Sequence, residues 1–360
     1  MRKSVRGIIA TLLVFVLAVG TGSAQTPRTE MKLTIEEAIE LGLANDVAYR
    51  LAALDVQIAQ VRLEQAEAGN LMQPSPTLLY QAQVGLELAE RSVLLAERSL
   101  VLQIAQDYYT LLRLENILAV LDEAIRLGER QLAVAESRFA AGAATRLDVM
   151  TAETTLASHR ADRAQAEANK MLAETKFKQS LGLGAEVQLV LDDAVIQQAL
   201  PEMSLDKALE IGLANRIELV QAAAGVSIAE KELELKTNDY TPLLERRLAE
   251  VELERARTVF EQATQGISLD IQNAYHTMHD AFKRMELAAL ELAKAEEQYR
   301  VVQALFDAGM ATDVEILQAQ TGLTQARSGQ VNAIFDFNIA RMQFFHAIGQ
   351  GPQGLLDGGE

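Results

Sequence analysis

Apolar residues recur every three or four positions over most of the chain, which is the spacing of one buried face along a helix. Two turn-forming segments interrupt this spacing, "NLMQPSPT" at 70–77 and "TNDYTP" at 237–242. In the first half we expect four helices: one at about 34–44, one at about 47–69, a long helix that ends near Ala140 and a last helix that ends near Leu181. The second half shows the same order of helices.

The predicted lengths indicate how these helices pack. At about 1.5 Å per residue, the long helix spans about 90 Å and the two medium helices about 35 and 55 Å. Because the two shorter lengths sum to the longer one, we expect one long helix to lie beside two medium helices stacked end to end, twice over. The predicted fold class is all-α, with long antiparallel coiled-coil hairpins in two tandem repeats.

An internal repeat supports this plan. "AIELGLAN" at 38–45 returns as "ALEIGLAN" at 208–215, an offset of 170 residues. "IAQDYY" at 104–109 is echoed by "IQNAYH" at 271–276, an offset of 167. The join between the halves contains glycines, Pro201 and room for one short strand. We expect five segments: a signal peptide at 1–24, a first repeat at 25–183, a linker at 184–203, a second repeat at 204–349 and a C-terminal tail at 350–360.

The last helix of each half carries stripes with the 3-4 spacing of coiled-coil contacts. In the first half small residues dominate the stripe, which implies close helix approach: Leu147, Met150, Thr154, Ala157, Ala161, Ala164, Ala168 and Met171. The second half carries one matching stripe and a second one: Val314, Leu317, Thr321, Thr324, Ser328, Val331, Phe335, Asn338 and Met342, then Ile316, Ala319, Leu323 and Ala326. Two stripes predict neighbours on two sides, as in a tube of helices.

A turn motif occurs once in each half, as "FAAGAATRLDVMTA" at 139–152 and "FDAGMATDVEILQA" at 306–319. Each glycine suits the left-handed position that ends a helix, each threonine suits the N-cap of the next helix, and each carboxylate completes a capping box. Local physics alone therefore predicts a tight helix-turn-helix at both places. The residues are Gly142, Thr145 and Asp148 in the first turn, and Gly309, Thr312 and Glu315 in the second.

The N-terminus has the layout of a cleaved secretory signal: basic residues at 2, 3 and 6, an apolar run at 8–19 and small residues near Ala24. We therefore expect export to the periplasm or cell envelope. The net charge is −17, and it becomes −20 without those three basic residues, which argues against nucleic acid as a partner. There is no cysteine, so no disulfide framework is possible.

Candidate chemistry is sparse. His276 and His279 could share one helix face, but no third metal ligand has a suitable position, while His159 and His346 are isolated. No phosphate-binding loop and no nucleophile motif occurs. We therefore predict no enzyme, no cofactor and no metal site.

The pattern F-x-x-G-x-x-T-x-x-[DE], present twice and preceded each time by a long helix, resembles the helical tip of the TolC family of outer membrane efflux proteins. "LTIEEAIELGLAN" at 33–45 and "QDYYTLL" at 106–112 also resemble that family. The resemblance implies a homotrimer whose packed helices form a hollow conduit, with tips that meet a periplasmic adaptor and, through it, an inner-membrane pump.

The tip residues follow from the motif positions. The implied adaptor contacts are Ala141, Gly142, Ala143, Thr145, Asp148, Ala308, Gly309, Met310, Thr312 and Glu315. Glu315 matches a carboxylate that lines the closing aperture of the family. The next acidic family position is Gln318 here, so the electrostatic gate implied by the family is incomplete.

The sequence departs from the family where membrane strands are expected. A spanning strand pair needs about 9 to 11 residues per strand, which neither interruption offers. We therefore expect a TolC-like protomer without the membrane β-barrel; the alternating residues 80–88 leave open a remnant strand or the start of a helix. Two functions remain open: a passive efflux or type I secretion duct, or a structural or protein-binding rod of the cell envelope.

Overall fold

The computed structural model describes residues 30–72, 75–191 and 198–350. The predicted signal peptide and almost all of the predicted C-terminal tail lie outside these residues. Eight helices and two strands follow in the described ranges: β1 (Glu30–Leu33), α1 (Ile35–Asn45), α2 (Val47–Met72), α3 (Pro76–Ala140), α4 (Arg146–Ser180), β2 (Gln188–Leu191), α5 (Leu205–Asn215), α6 (Ile217–Lys236), α7 (Leu243–Asp307) and α8 (Asp313–Ala347).

These bounds confirm the all-α expectation and the order of helices in each half. The long helices α3 and α7 both have 65 residues, and α4 and α8 both have 35. As expected from the lengths, α3 packs against both α2 and α4, and α7 packs against both α6 and α8. None of the described helices is long and apolar enough to cross a membrane.

Residues 80–88, where the alternation left a strand open, lie inside α3 and are helical. Proline stands at the first position of this helix, where its missing N–H is not needed. The alternation is therefore a coincidence of composition, and the helix interpretation is confirmed.

The two strands lie next to each other in one small parallel pair. The strand expected between the halves is β2, and it pairs with β1 from Glu30 opposite Gln188 to Leu33 opposite Leu191. We did not predict β1, because its alternation of polar and apolar residues extends over only four positions and its partner lies far away in sequence. The pairing ties the start of the first repeat to the join.

The two hairpins, α3 with α4 and α7 with α8, lie side by side because α3 also packs against α8. The helix α8 thus has α3 on one side and α7 on the other, and it is the richest of the helices in buried side chains. Tyr109 of α3 contacts Phe335 on the first predicted stripe of α8, with ring centroids 6.2 Å apart. The prediction of neighbours on two sides is confirmed for this helix.

The helix α4 packs against α3 through a stripe other than the one expected. Its buried residues are Val149, Ala152, Leu156, His159, Ala166 and Phe177. The predicted stripe from Leu147 to Met171 is exposed in the single chain; Leu147 is 70% exposed and Met171 is 60% exposed. A helix with a small-residue face that nothing covers is unusual for an isolated monomer.

The main core lies at the end of the bundle where the short helices α1 and α5 cross the long ones. At each crossing a glycine of the short helix lies against a buried isoleucine: Gly42 against Ile104 and Gly212 against Ile271. A side chain at either glycine would overlap the end of that isoleucine, so glycine allows the helices to approach here without displacing a buried side chain.

Candidate functional site

Both helical turns have the geometry that the capping rules predict. Gly142 and Gly309 have φ values of +75° and +73°, in the left-handed region. The N–H of Gly142 donates to Phe139 O (2.9 Å), and the N–H of Ala143 donates to Arg138 O (2.7 Å). This is a Schellman motif, and the second turn repeats it with matching bonds.

A capping box begins the helix after each turn. In the first, the N–H of Asp148 donates to Thr145 Oγ1 (3.2 Å), and the N–H of Thr145 donates to Asp148 Oδ2 (2.7 Å). The same two bonds join Thr312 and Glu315 at 2.7 and 3.2 Å. The bond from the backbone N–H, followed by the bond from the threonine hydroxyl, lowers the pKa of Asp148 and likewise that of Glu315.

The outer surface of the two turns is small and apolar. The turn residues Ala141, Ala143 and Ala308 are exposed, and Met310 is 71% exposed. The carboxylate at Glu315 and the amide at Gln318 are also exposed on the first turns of α8. The structure thus places all the predicted tip residues at the surface of the two turns.

A side-chain cluster that the sequence did not reveal joins the two turns. Asp313, the first residue of α8, is buried and forms an ion pair of 3.1 Å with Arg138, near the end of α3. Gln131 donates to the same carboxylate at 3.4 Å. The guanidinium of Arg138 also lies 5.1 Å above the ring of Phe306, at the end of α7. This ion-pair cluster holds the second turn against the first hairpin.

Apolar packing continues the contact just beyond the ion pair. Ala135 and Leu132 of α3 lie against Val149 and Ala152 of α4 and against Leu317 of α8. Three helices therefore meet close to the turns. The sequence did predict that Leu317 lies on a packing stripe, but not which helix it contacts.

The predicted tip carries no arrangement for acid–base or metal chemistry. In the described part of the chain no three His, Cys, Asp or Glu residues come together as a metal site would require. His276 is exposed, whereas the ring of His279 lies beside that of Tyr275 at a tilt of 47°, with ring centroids 4.3 Å apart. Burial, then the charges of Lys283 and His276, lower the pKa of His279.

The comparisons with known proteins agree on one class. The sequence model of the outer membrane efflux protein family matches residues 244–350, which cover nearly all of α7 and the whole of α8. No curated protein matches the chain in sequence. Outer membrane efflux proteins are transport proteins rather than enzymes, in agreement with the prediction.

Solved structures match over most of the chain. It is similar to a membrane protein from Pseudomonas aeruginosa, with a TM-score of 0.74, 14% identity and coverage of 88% of this chain and 90% of that one. It is also similar to the outer membrane protein VceC from Vibrio cholerae, with a TM-score of 0.68, 17% identity and coverage of 88% of this chain and 96% of that one. Its similarity to the CmeC outer membrane channel from Campylobacter jejuni has a TM-score of 0.68, 13% identity and coverage of 88% of this chain and 85% of that one.

The long helices and paired capped turns define a TolC-like helical protein with two tandem repeats. The resemblance to the outer membrane efflux protein family is confirmed, by sequence in the second repeat and by fold over most of the chain.

Proposed function

We propose that the chain is exported and assembles as a homotrimeric helical duct of an efflux or type I secretion system in the cell envelope. The duct would be a passive conduit, and a periplasmic adaptor would dock on its paired turns and link it to an inner-membrane pump. The observation that carries this proposal is a packing surface on α4 and α2 that is exposed in the first repeat, whereas several of the corresponding positions in the second repeat are buried, among them Leu317, Phe335 and Ile217.

The stripe on α4 has a partner-bound counterpart within the same chain. Each of its residues, moved by the repeat offset of 167, falls on the first predicted stripe of α8. There Leu317 and Phe335 are buried, and the latter contacts α3. Their counterparts Met150 and Ala168 are exposed on α4. The stripe of α8 therefore contacts a helix within the protomer, whereas the matching stripe of α4 is exposed at the edge of the protomer.

The start of the helix α2 shows the same difference. No residue of α2 is buried, and large apolar side chains follow a 4-3 spacing along its exposed face: Val47, Leu51, Leu54, Ile58 and Val61. At the offset of 170, Val47 corresponds to Ile217 of α6, which lies against α3. Val47 is 64% exposed and Ile217 is 6% exposed.

The surface that would cover both stripes is α7 of a second copy, because α7 is the repeat counterpart of α3. Leu248, Val251, Leu287 and Leu290 are exposed along this helix. A contact between α4 and α2 of one copy and α7 of the next is head-to-tail, so it closes into a ring when the rotation per copy allows it. Six repeats in three copies would give such a ring.

Cysteine cross-linking tests this arrangement, since the chain has no cysteine of its own. Ala135 and Leu317 belong to one buried cluster within the protomer, and their repeat counterparts are Val302 and Met150. The variant with Met150→Cys and Val302→Cys should cross-link between copies in a ladder that ends at three. The matched control, Ala135→Cys with Leu317→Cys, should cross-link only within a copy.

Light scattering on the purified chain should give the mass of three copies. A monodisperse monomer together with no intermolecular product from the paired variant would refute the duct and leave the rod as the function of this fold.

The docking of an adaptor rests on the exposed apolar turns. A photoreactive amino acid at Met310 should form an adduct with a membrane-fusion adaptor in the native cells. The same group at Met72, which is 91% exposed at the far end of α2, should not form that adduct. Equal labelling from both positions, or none from Met310, would contradict docking at the tips.

A further inference from the structure

A cavity of about 270 Å³ lies between α3, the start of α6 and the end of α8, far along the chain from the turns. Four basic side chains and one carboxylate, that of Glu218, line it; the basic ones are Arg91 and Arg98 of α3, Arg216 at the start of α6, and His346 of α8. The chain as a whole carries a net charge of −17, so four basic groups around one cavity are a marked local exception.

Two of the guanidinium groups already have carboxylate partners. Arg91 forms an ion pair of 3.1 Å with Glu87, and Arg216 forms ion pairs of 2.8 Å with both Glu218 and Asp270. Arg98 lines the same cavity, and no ion pair to it occurs within 4 Å among the described residues. Among the described residues, Arg98 is therefore the one guanidinium lining this cavity that forms no ion pair.

The surroundings of the empty cavity lower the pKa values of two of its basic side chains. Burial lowers the pKa of Arg98, against a smaller opposing effect of Glu97. Burial, and then the charge of Arg216, lower the pKa of His346, and Arg98 adds to that effect while Asp270 and Glu218 oppose it. A bound anion would relieve this repulsion, because opposite charge favours the protonated form of both side chains.

The repeat provides an internal comparison for this cluster. At the offsets of 167 and 170, the four basic residues correspond to Thr258, Gln265, Asp46 and Gln179. These counterparts are divided between α7, which packs against α6 and α8, and the ends of α2 and α4, helices that pack against α3, so they do not form a second copy of the cavity within one chain. None of the four is basic, so the basic cluster is not a feature of the repeat itself.

One wall of the cavity is apolar. Leu94 and Leu95 of α3 and Ile217 of α6 line it beside the basic groups. The repeat counterparts of the two leucines are Glu261 and Gln262, which are polar. The combination of cations and an apolar wall is therefore particular to this cavity.

We propose that this cavity binds a small organic carboxylate with a short aliphatic or aromatic tail. Arg98 and His346 hold the carboxylate, and Leu94, Leu95 and Ile217 contact the tail. The volume suits a ligand at the small end of the range for protein pockets, about 300 Å³. This site is additional to the proposed duct and does not depend on adaptor docking.

Calorimetric titration of the purified chain with hexanoate tests the site, with acetate, inorganic phosphate and hexylamine as comparison ligands. Hexanoate should bind saturably and more tightly than acetate or phosphate, and hexylamine should not bind. Replacing Arg98 by the residue of the other repeat, Arg98→Gln, should weaken hexanoate binding about tenfold or more, as expected for a lost charged hydrogen bond. The reverse exchange, Gln265→Arg, is the matched control and should leave the affinity unchanged.

The pH dependence provides a second readout, which also serves if Arg98→Gln fails to fold. Groups facing His346 are Arg98, Arg216, Glu218 and Asp270. Because the bound carboxylate favours protonated His346, the affinity should rise as the pH falls from the pKa of His346 in the complex to its lowered pKa in the empty cavity, and His346→Gln should remove that rise. No saturable hexanoate binding, equal affinity for acetate or phosphate, or an unchanged affinity in both variants would overturn the proposal.

Discussion

The buried ion pair between Asp313 and Arg138 predicts a measurable coupling between the two hairpins. Asp313→Asn keeps the shape of the side chain but removes its charge. Arg138 would then lose its carboxylate partner at 3.1 Å, and Gln131 would keep only a neutral acceptor. The stability of the second turn against the first hairpin should fall.

The size of this loss in stability depends on how far the ion pair is exposed to water. Breaking a fully buried ion pair costs about 3–5 kcal/mol. The side chain of Asp313 is 7% exposed, but that of Arg138 is 34% exposed, so water can replace much of the lost interaction. Asp313 also lies at the N-terminus of α8, where a negative charge contributes about 0.5 kcal/mol. We expect the free energy of unfolding to fall by about 2 kcal/mol.

Urea unfolding followed by circular dichroism measures this, at one protomer concentration because assembly would change the midpoint. A double-mutant cycle with Arg138→Leu isolates the pair, and leucine is the residue that the second repeat has at that position, Leu305. We expect a coupling energy of about 1 kcal/mol. Arg146→Ala, at the repeat counterpart of Asp313, is the control and should change stability by less than about 0.5 kcal/mol. A coupling below about 0.3 kcal/mol would refute the reasoning.

Two further predictions concern the short-helix crossing and the capping boxes. Gly42→Ala should lower the free energy of unfolding by about 1 kcal/mol, because the overlap of the new methyl group with buried Ile104, about 2 kcal/mol, exceeds the gain in helix propensity. Gly69→Ala, at an open helical position, should raise it by about 0.8 kcal/mol, and equal effects in denaturant titrations would contradict this. Hydrogen bonds from Thr312 lower the pKa of Glu315 in the folded protein. The stabilisation by this carboxylate is therefore fully present above its ordinary pKa of about 4.3, and it is lost as the pH falls through its lower pKa in the folded protein. Thr312→Ala should therefore flatten the loss of stability on acidification below about pH 5, and an unchanged acid titration would show that the cap does not cause the shift.

Much of the fold could be predicted because the decisive signals are local. Helix periodicity, the proline at position 76 and the two capping motifs each depend on residues within a turn or two of one another. The strand β1 shows the limit of such reasoning. Its four residues become a strand because they pair with Gln188–Leu191, and no local pattern specifies a partner that distant.

The candidate site likewise has features that the local sequence predicts and one that it does not. The positive φ of Gly142 and the cap at Thr145 were predictable from the turn itself. The burial of Asp313 was not, because an acidic residue at the start of a helix is also the usual exposed choice. One signal did exist: the other repeat has Arg146 at the same position, of opposite charge. A change of sign between otherwise matching turns indicates that one of the two has a specific partner.

The repeat makes that comparison possible throughout the chain, because two copies of one architecture solve the same packing problem with different residues. Where the copies agree, as at Gly42 and Gly212 against their isoleucines, the fold itself demands the residue. Where they differ only in exposure, as at Val47 and Ile217, the exposed copy lacks a neighbour that assembly would supply. Where they differ in chemistry, as at Arg98 and Gln265, the repeat itself does not dictate the residue, and the proposed carboxylate would give the cation beside the cavity a partner.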